Sequence, residues 1–185
     1  MNLCVVLDGD RLRVPASAFA PAGGEGERVV PVSALRDADP GTAPPEIRTL
    51  AGESLFLPAT RRADLEEFCA ANGIPLRRRP DVWGDLLEPF LDTAFTTAHR
   101  EAAQARLTRV GLGEGKVAAI RAEVGPMMVA YNSVHRDWCH LGLADLLDAA
   151  TSGLVPEEHR VGRAGLAAFH AWAMEIADLG RPHTV

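Results

Sequence analysis

From Asp81 to Gly180, apolar side chains recur at the spacing of one face of an α-helix, and no other feature constrains the chain as strongly. Trp83, Leu86, Leu87, Phe90 and Leu91 follow an i, i+3, i+4, i+7, i+8 order that gathers them into one stripe. Asp81 stands where a helix N-cap is expected. Pro89 lies inside the pattern and lacks the N–H that would bond to residue 85, so a kink is expected there.

A second helix is expected from about Thr97 to Val110, stopped by Gly111, and a third from about Glu114 to Val124. Gly125-Pro126 is expected to separate the third from a fourth, running from Pro126 to about Ala150. Its stripe is Met127, Tyr131, Val134, Trp138 and Leu141, with Met128, His135, Cys139 and Leu146 beside it. A last helix is expected to start at Pro156, with Glu157 and Glu158 near its positive dipole end, and to stop at Gly180. Val161, Phe169, Trp172, Ile176 and Leu179 would share its buried face.

The first half has a different texture. Leu3 to Leu7 and Arg11 to Val14 flank Asp8-Gly9-Asp10, a hairpin signal because glycine accepts the positive φ of a tight turn. Residues 21–27 and Asp37 to Pro45, rich in Gly and Pro, read as loops, with Arg28 to Ser33 a short strand between them. Glu46 to Leu50 and Leu55 to Leu57 suggest a second hairpin. From Thr60, a candidate cap, Leu65, Phe68 and Cys69 fall on one helical face that Asn72-Gly73 ends. The fold class expected is therefore α+β: a small loop-rich β region with one connecting helix over 1–79, then a bundle of four or five helices over 80–185.

Composition narrows the function classes. The net charge of −6 argues against a sequence-independent grip on nucleic acid or an anionic membrane surface. Cys4, Cys69 and Cys139 are odd in number and far apart, which suits neither a zinc site nor a disulfide framework. The opening apolar run stops at Asp8 without a basic leader, and no stretch approaches the roughly 20 apolar residues of a membrane span, so a cytoplasmic protein is expected.

Three clusters carry possible chemistry. On the Pro126 helix, Tyr131, His135, Asp137, Cys139 and His140 are close in sequence, and His135 and Cys139 have a helical ligand spacing. The His-Glu-x-x-His and Glu-x-x-His patterns are both missing, so a histidine hydrogen-bonded beside the core is the simpler reading. Asp85, Glu88 and Asp92 bring carboxylates to one helical face, where His99 could join them if the following loop turns sharply. A solvated acidic face is the simpler reading here too. Arg77-Arg78-Arg79 could grip phosphate, but without aromatic neighbours it reads as a solvated or ion-paired run.

Gly111 to Lys116 follows a helix rather than a strand and lacks the phosphate-loop spacing, so it reads as a connection. No serine sits in a Gly-x-Ser-x-Gly elbow. The leading expectation is thus a non-catalytic interaction or regulatory module, homodimeric through its helices, with a protein partner as a further possibility and no cofactor. The alternative is a small metal- or ligand-binding enzyme whose site between the helices would use Asp85, Glu88, Tyr131, His135 and Trp138. No catalytic residue or metal ligand is assigned.

Overall fold

The computed structural model describes residues 5–15 and 27–180. The fold is α+β: two small antiparallel three-stranded sheets come first, and about five helices follow. The chain divides into two units, Met1–Arg79 and Pro80–Val185. Leu3, Cys4 and most of the first expected loop, residues 21–26, lie outside the described residues.

In the first unit, β1 (Val6–Asp8), β2 (Arg11–Val14) and β3 (Arg28–Pro31) form one sheet in that order. Asp8 pairs with Arg11, which leaves Gly9-Asp10 as the two-residue turn. Gly9 adopts φ +60°, a conformation that a Cβ would penalise.

The second sheet is β4 (Leu35–Asp39), β5 (Glu46–Thr49) and β6 (Ser54–Phe56). Its first strand corrects the expected Asp37–Pro45 loop, because Asp37, Ala38 and Asp39 pair with Arg48, Ile47 and Glu46. Strand alternation separates the two faces of this sheet. Ala38, Ile47 and Leu55 align on one face and join the core; Asp37, Arg48 and Ser54 form a row on the other.

A single core joins both sheets to α1 (Arg62–Asn72), which contributes Leu65, Phe68 and Cys69. Thr60 does not cap this helix: a 3-10 turn over Ala59–Arg61 precedes it, and Arg61 occupies the N-cap position without a side-chain cap bond. Gly73 ends it at φ +66°, as expected, and Asn72 Nδ2 donates to Gly9 O at 3.0 Å, tying the helix end to the hairpin turn.

In the second unit, α2 (Val82–Leu87) is capped by Asp81, whose carboxylate accepts from Gly84 N at 2.9 Å. Pro89 does not kink a longer helix. The helix stops at Leu87 and tightens into a 3-10 turn over Glu88–Phe90, with Pro89 in the first turn, where its missing N–H costs nothing. Loop 91–96 leads to α3 (Thr97–Arg109), capped by Thr96.

The helix α4 (Glu114–His135) runs through Gly125-Pro126 without the expected break. Gly125 is buried beside the Phe90 ring, and Pro126 is carried inside the helix. The helix instead ends at Arg136, with φ +55°. Asn132 fixes that end, donating to Phe90 O and Asp137 O and accepting from Asp137 N.

The expected Pro126–Ala150 helix is therefore the end of α4, a loop, and α5 (Leu143–Ala149). Val134 and Trp138 are exposed rather than part of the buried stripe. The last helix, α6 (Leu166–Ala177), begins later than expected, after 3-10 turns at Glu157–His159 and Arg163–Gly165. Val161 consequently precedes the helix. Trp83, only 1% exposed, joins α2 to α6 through a hydrogen bond from Nε1 to Ala173 O at 2.9 Å. Among the described residues, no helix is long and apolar enough to cross a membrane.

Candidate functional site

The abrupt end of α2 is what builds a cavity. Helix termini leave carbonyls without intrahelical partners, and Arg121 of α4 satisfies two of them. It donates from Nε to Leu86 O and from Nη2 to Asp85 O, both at 3.0 Å. Burial pushes the Arg121 guanidinium pKa down, opposed by the charges of Glu88 and Asp85. One residue beyond the helix, Glu88 turns inward and is 6% exposed.

Glu88, Pro89, Thr93, Ala94, Phe95, Arg100 and Arg121 line a cavity of about 420 Å³. The volume falls within the roughly 300–1,000 Å³ of small-molecule sites. Glu88 Oε1 is buried and takes no hydrogen bond among the described residues. His99 Nε2 comes within 3.8 Å of it, beyond hydrogen-bond reach. The loop after α2 does turn sharply enough to bring His99 over, where its ring stacks on Phe95 with centroids 4.6 Å apart. Arg100 donates to Phe95 O at 3.2 Å, fixing the loop to the start of α3. Neither Arg100 nor Arg121 forms an ion pair with Glu88 among the described residues.

Asp85, one turn before Glu88, is committed elsewhere. Arg106 grips its carboxylate, with Nε at 3.0 and 2.9 Å from the two oxygens and Nη2 at 2.6 Å from Oδ1. That bond is the main reason the Arg106 pKa is raised. Tyr131, His135 and Trp138 lie in other surroundings. Tyr131 is buried and donates to Asp148 Oδ2 at 2.8 Å; burial first, then that bond, pushes its phenol pKa up. His135 is exposed and packs its ring on Tyr131 at 4.2 Å.

Trp138 is 69% exposed in the loop after α4. Among the described residues, no hydrogen bond, ion pair or ring contact joins Asp85 or Glu88 to these three. His135 is the last residue of α4, so the helical spacing from His135 to Cys139 is not realised. Among the described residues, no group of three or more His, Cys, Asp or Glu side chains is placed to hold a metal ion.

The arginine run of the first unit is divided in use. Arg77 and Arg78 are exposed, whereas the Arg79 side chain is 4% exposed. Arg79 bonds Asp37, and through Nη1 it donates to Glu46 Oε1 at 2.9 Å. Its backbone N–H also donates to Asp39 Oδ2 at 2.8 Å. Glu46 accepts in addition from Arg48 and from Ser54 Oγ. These acceptors hold the third arginine.

No family model, curated protein or solved structure matches this chain. The candidate site therefore rests on its own geometry. Glu88 and His99 were visible in the sequence as an acidic helical face and a histidine that a sharp loop could deliver. Phe95, Arg100 and Arg121 carried no such signal: each is an ordinary side chain on a loop or helix until the end of α2 gives the three a common wall.

Proposed function

We propose that this protein is a non-catalytic, ligand-binding regulatory module whose site is the Glu88 cavity. The observation that carries the reading is a carboxylate residue, 6% exposed, that lines a cavity together with two arginines and has one oxygen that is buried and takes no hydrogen bond among the described residues. Leaving a buried polar group unsatisfied costs about 1–3 kcal/mol, and more when it is charged. A bound molecule that donates to Glu88 would recover that cost. Arginine stays protonated under ordinary conditions, so Arg100 and Arg121 suit the holding of an anionic group better than proton transfer.

The test is a thermal-shift screen of the full chain against small polar molecules, with hits confirmed by calorimetry. At least one compound is expected to raise the melting temperature of the wild type and to lose that effect in Glu88→Gln. A hit unaffected by both Glu88→Gln and Arg100→Gln, or no hit at all, would remove the reading. Placing the module in the cytoplasm is supported by Cys69 and Cys139, both free thiols.

A second reading, a homodimer of the helical unit, is supported by a groove of about 660 Å³ beside α4 and α6. Ile120, Met127, Val161, Phe169 and Trp172 give it apolar walls, while Glu123 and Arg160 supply opposite charges. A twofold axis places such a pair against its counterpart in a second copy. Light scattering at micromolar concentration is expected to give a dimer mass that Trp172→Arg halves; a strict monomer sinks this reading.

A further inference from the structure

Opposite charges that share a cavity usually collapse into an ion pair, because attraction in a partly desolvated space is stronger than in water. Here they are held apart. Arg121 is tethered by Nε and Nη2 to the carbonyls of Leu86 and Asp85, which aims its guanidinium, and Nη1 takes no hydrogen bond among the described residues. Arg100 is tethered to Phe95 O. Glu88 is fixed by the 3-10 turn that follows α2, its Oε1 buried and without a hydrogen bond among the described residues, with His99 Nε2 3.8 Å away. The Phe95 ring, backed by His99, supplies an apolar wall.

A cavity with an acceptor on one part of its lining and donors on another is complementary to a molecule that carries both charges. We propose that it takes a small zwitterion of the α-amino acid class, with the ammonium group on Glu88 and the carboxylate on Arg121 and Arg100. This deepens the ligand-binding reading and rests on it. An ammonium offers three donors to a carboxylate that only accepts, and a guanidinium matches a carboxylate through paired N–H groups. The volume of about 420 Å³ suits a single amino acid rather than a dinucleotide or a folded peptide.

The experiment is calorimetric titration of the full chain with the common α-amino acids, each tested beside its deaminated acid and its decarboxylated amine. At least one amino acid is expected to bind about tenfold or more tightly than either of its halves, since each half forgoes a charge-assisted hydrogen bond. Glu88→Gln is expected to weaken the amino acid about tenfold without weakening the deaminated acid, since it removes an ammonium acceptor and a like charge. Arg100→Gln, at an exposed position outside the core, is expected to weaken both the amino acid and the acid, and it serves if Glu88→Gln fails to fold.

A deaminated acid that binds as tightly as its amino acid overturns the zwitterion class and leaves the cavity a ligand site. The zwitterion class is likewise overturned, with the ligand site intact, if no amino acid binds but the wider screen yields a ligand sensitive to Glu88→Gln. Silence in both experiments overturns the inference and the reading beneath it.

Discussion

Arg79 donates from Nη1 to Glu46 Oε1 at 2.9 Å, and both side chains are 4% exposed. The bond connects the end of the first unit to the middle strand of its second sheet, and the same guanidinium also bonds Asp37. Removing one member of a buried charge set is costly because its partners stay desolvated. Arg79→Ala is expected to destabilise the first unit by about 3–5 kcal/mol, read as a shift in its urea transition. Arg79→Lys should recover only part of the loss, since a point charge cannot match the fork that spans two carboxylates. A change indistinguishable from zero for the alanine variant would mean that the network contributes nothing.

His140 Nε2 lies 2.7 Å from Asp81 Oδ2, and this bond is the main reason its pKa is raised above 6.5. Because the folded value is the higher one, the pair stabilises most fully below the unfolded histidine pKa. That contribution fades as pH rises through the raised folded value. Asp81→Asn keeps an N-cap but removes the charge. The stability gap between wild type and variant should be widest around pH 5.5 and close toward alkaline pH. NMR titration should find the His140 pKa lower in the variant; an unmoved titration would refute the account.

Trp83 and Trp138 make opposite predictions for fluorescence. Trp83 is 1% exposed, bonded to Ala173 O and edge-on to Trp172 at 5.6 Å, whereas Trp138 is 69% exposed. Iodide should quench Trp138 and spare Trp83, as single-tryptophan variants would show. Trp83→Phe removes the indole hydrogen bond to the Ala173 carbonyl and should destabilise the helical unit by about 0.5–1.5 kcal/mol. Equal quenching of the two indoles would contradict the packing of α2 on α6.

The cysteines should differ in reactivity. Cys69 is buried in the core, which pushes its thiol pKa up to about 11, while Cys139 is exposed. Thiolate is the reactive form, so a maleimide should label Cys139 in the native protein and Cys69 only on unfolding. Peptide mapping after labelling reads both sites at once. Native labelling of Cys69 would place it outside the core.

Local pattern was enough for some of this protein and silent on the rest. The periodicity from Trp83 onward specified helices, Asp81 marked a cap, and Asn72-Gly73 marked a helix end, because each signal depends on neighbours within a turn or two. The same logic misplaced β4. Asp37 and Asp39 look like loop residues until Arg48 and Arg79, remote in sequence, meet them in a buried sheet. Pro126 looks like a boundary, but α4 runs through it.

By itself the sequence determined the fold class, both hairpins and the helical character of the second half; the solvated acidic helical face it suggested is not formed, because Glu88 lies buried past the end of α2 and Asp92 in the following loop. Only the tertiary structure decided that Asp85 would be bound by Arg106 while Glu88 was left to a cavity with Arg121 and Arg100. The physical reason is range. Helical and turn propensities act across a few residues, whereas the partner of a buried charge is chosen by whichever distant segment the fold brings against it.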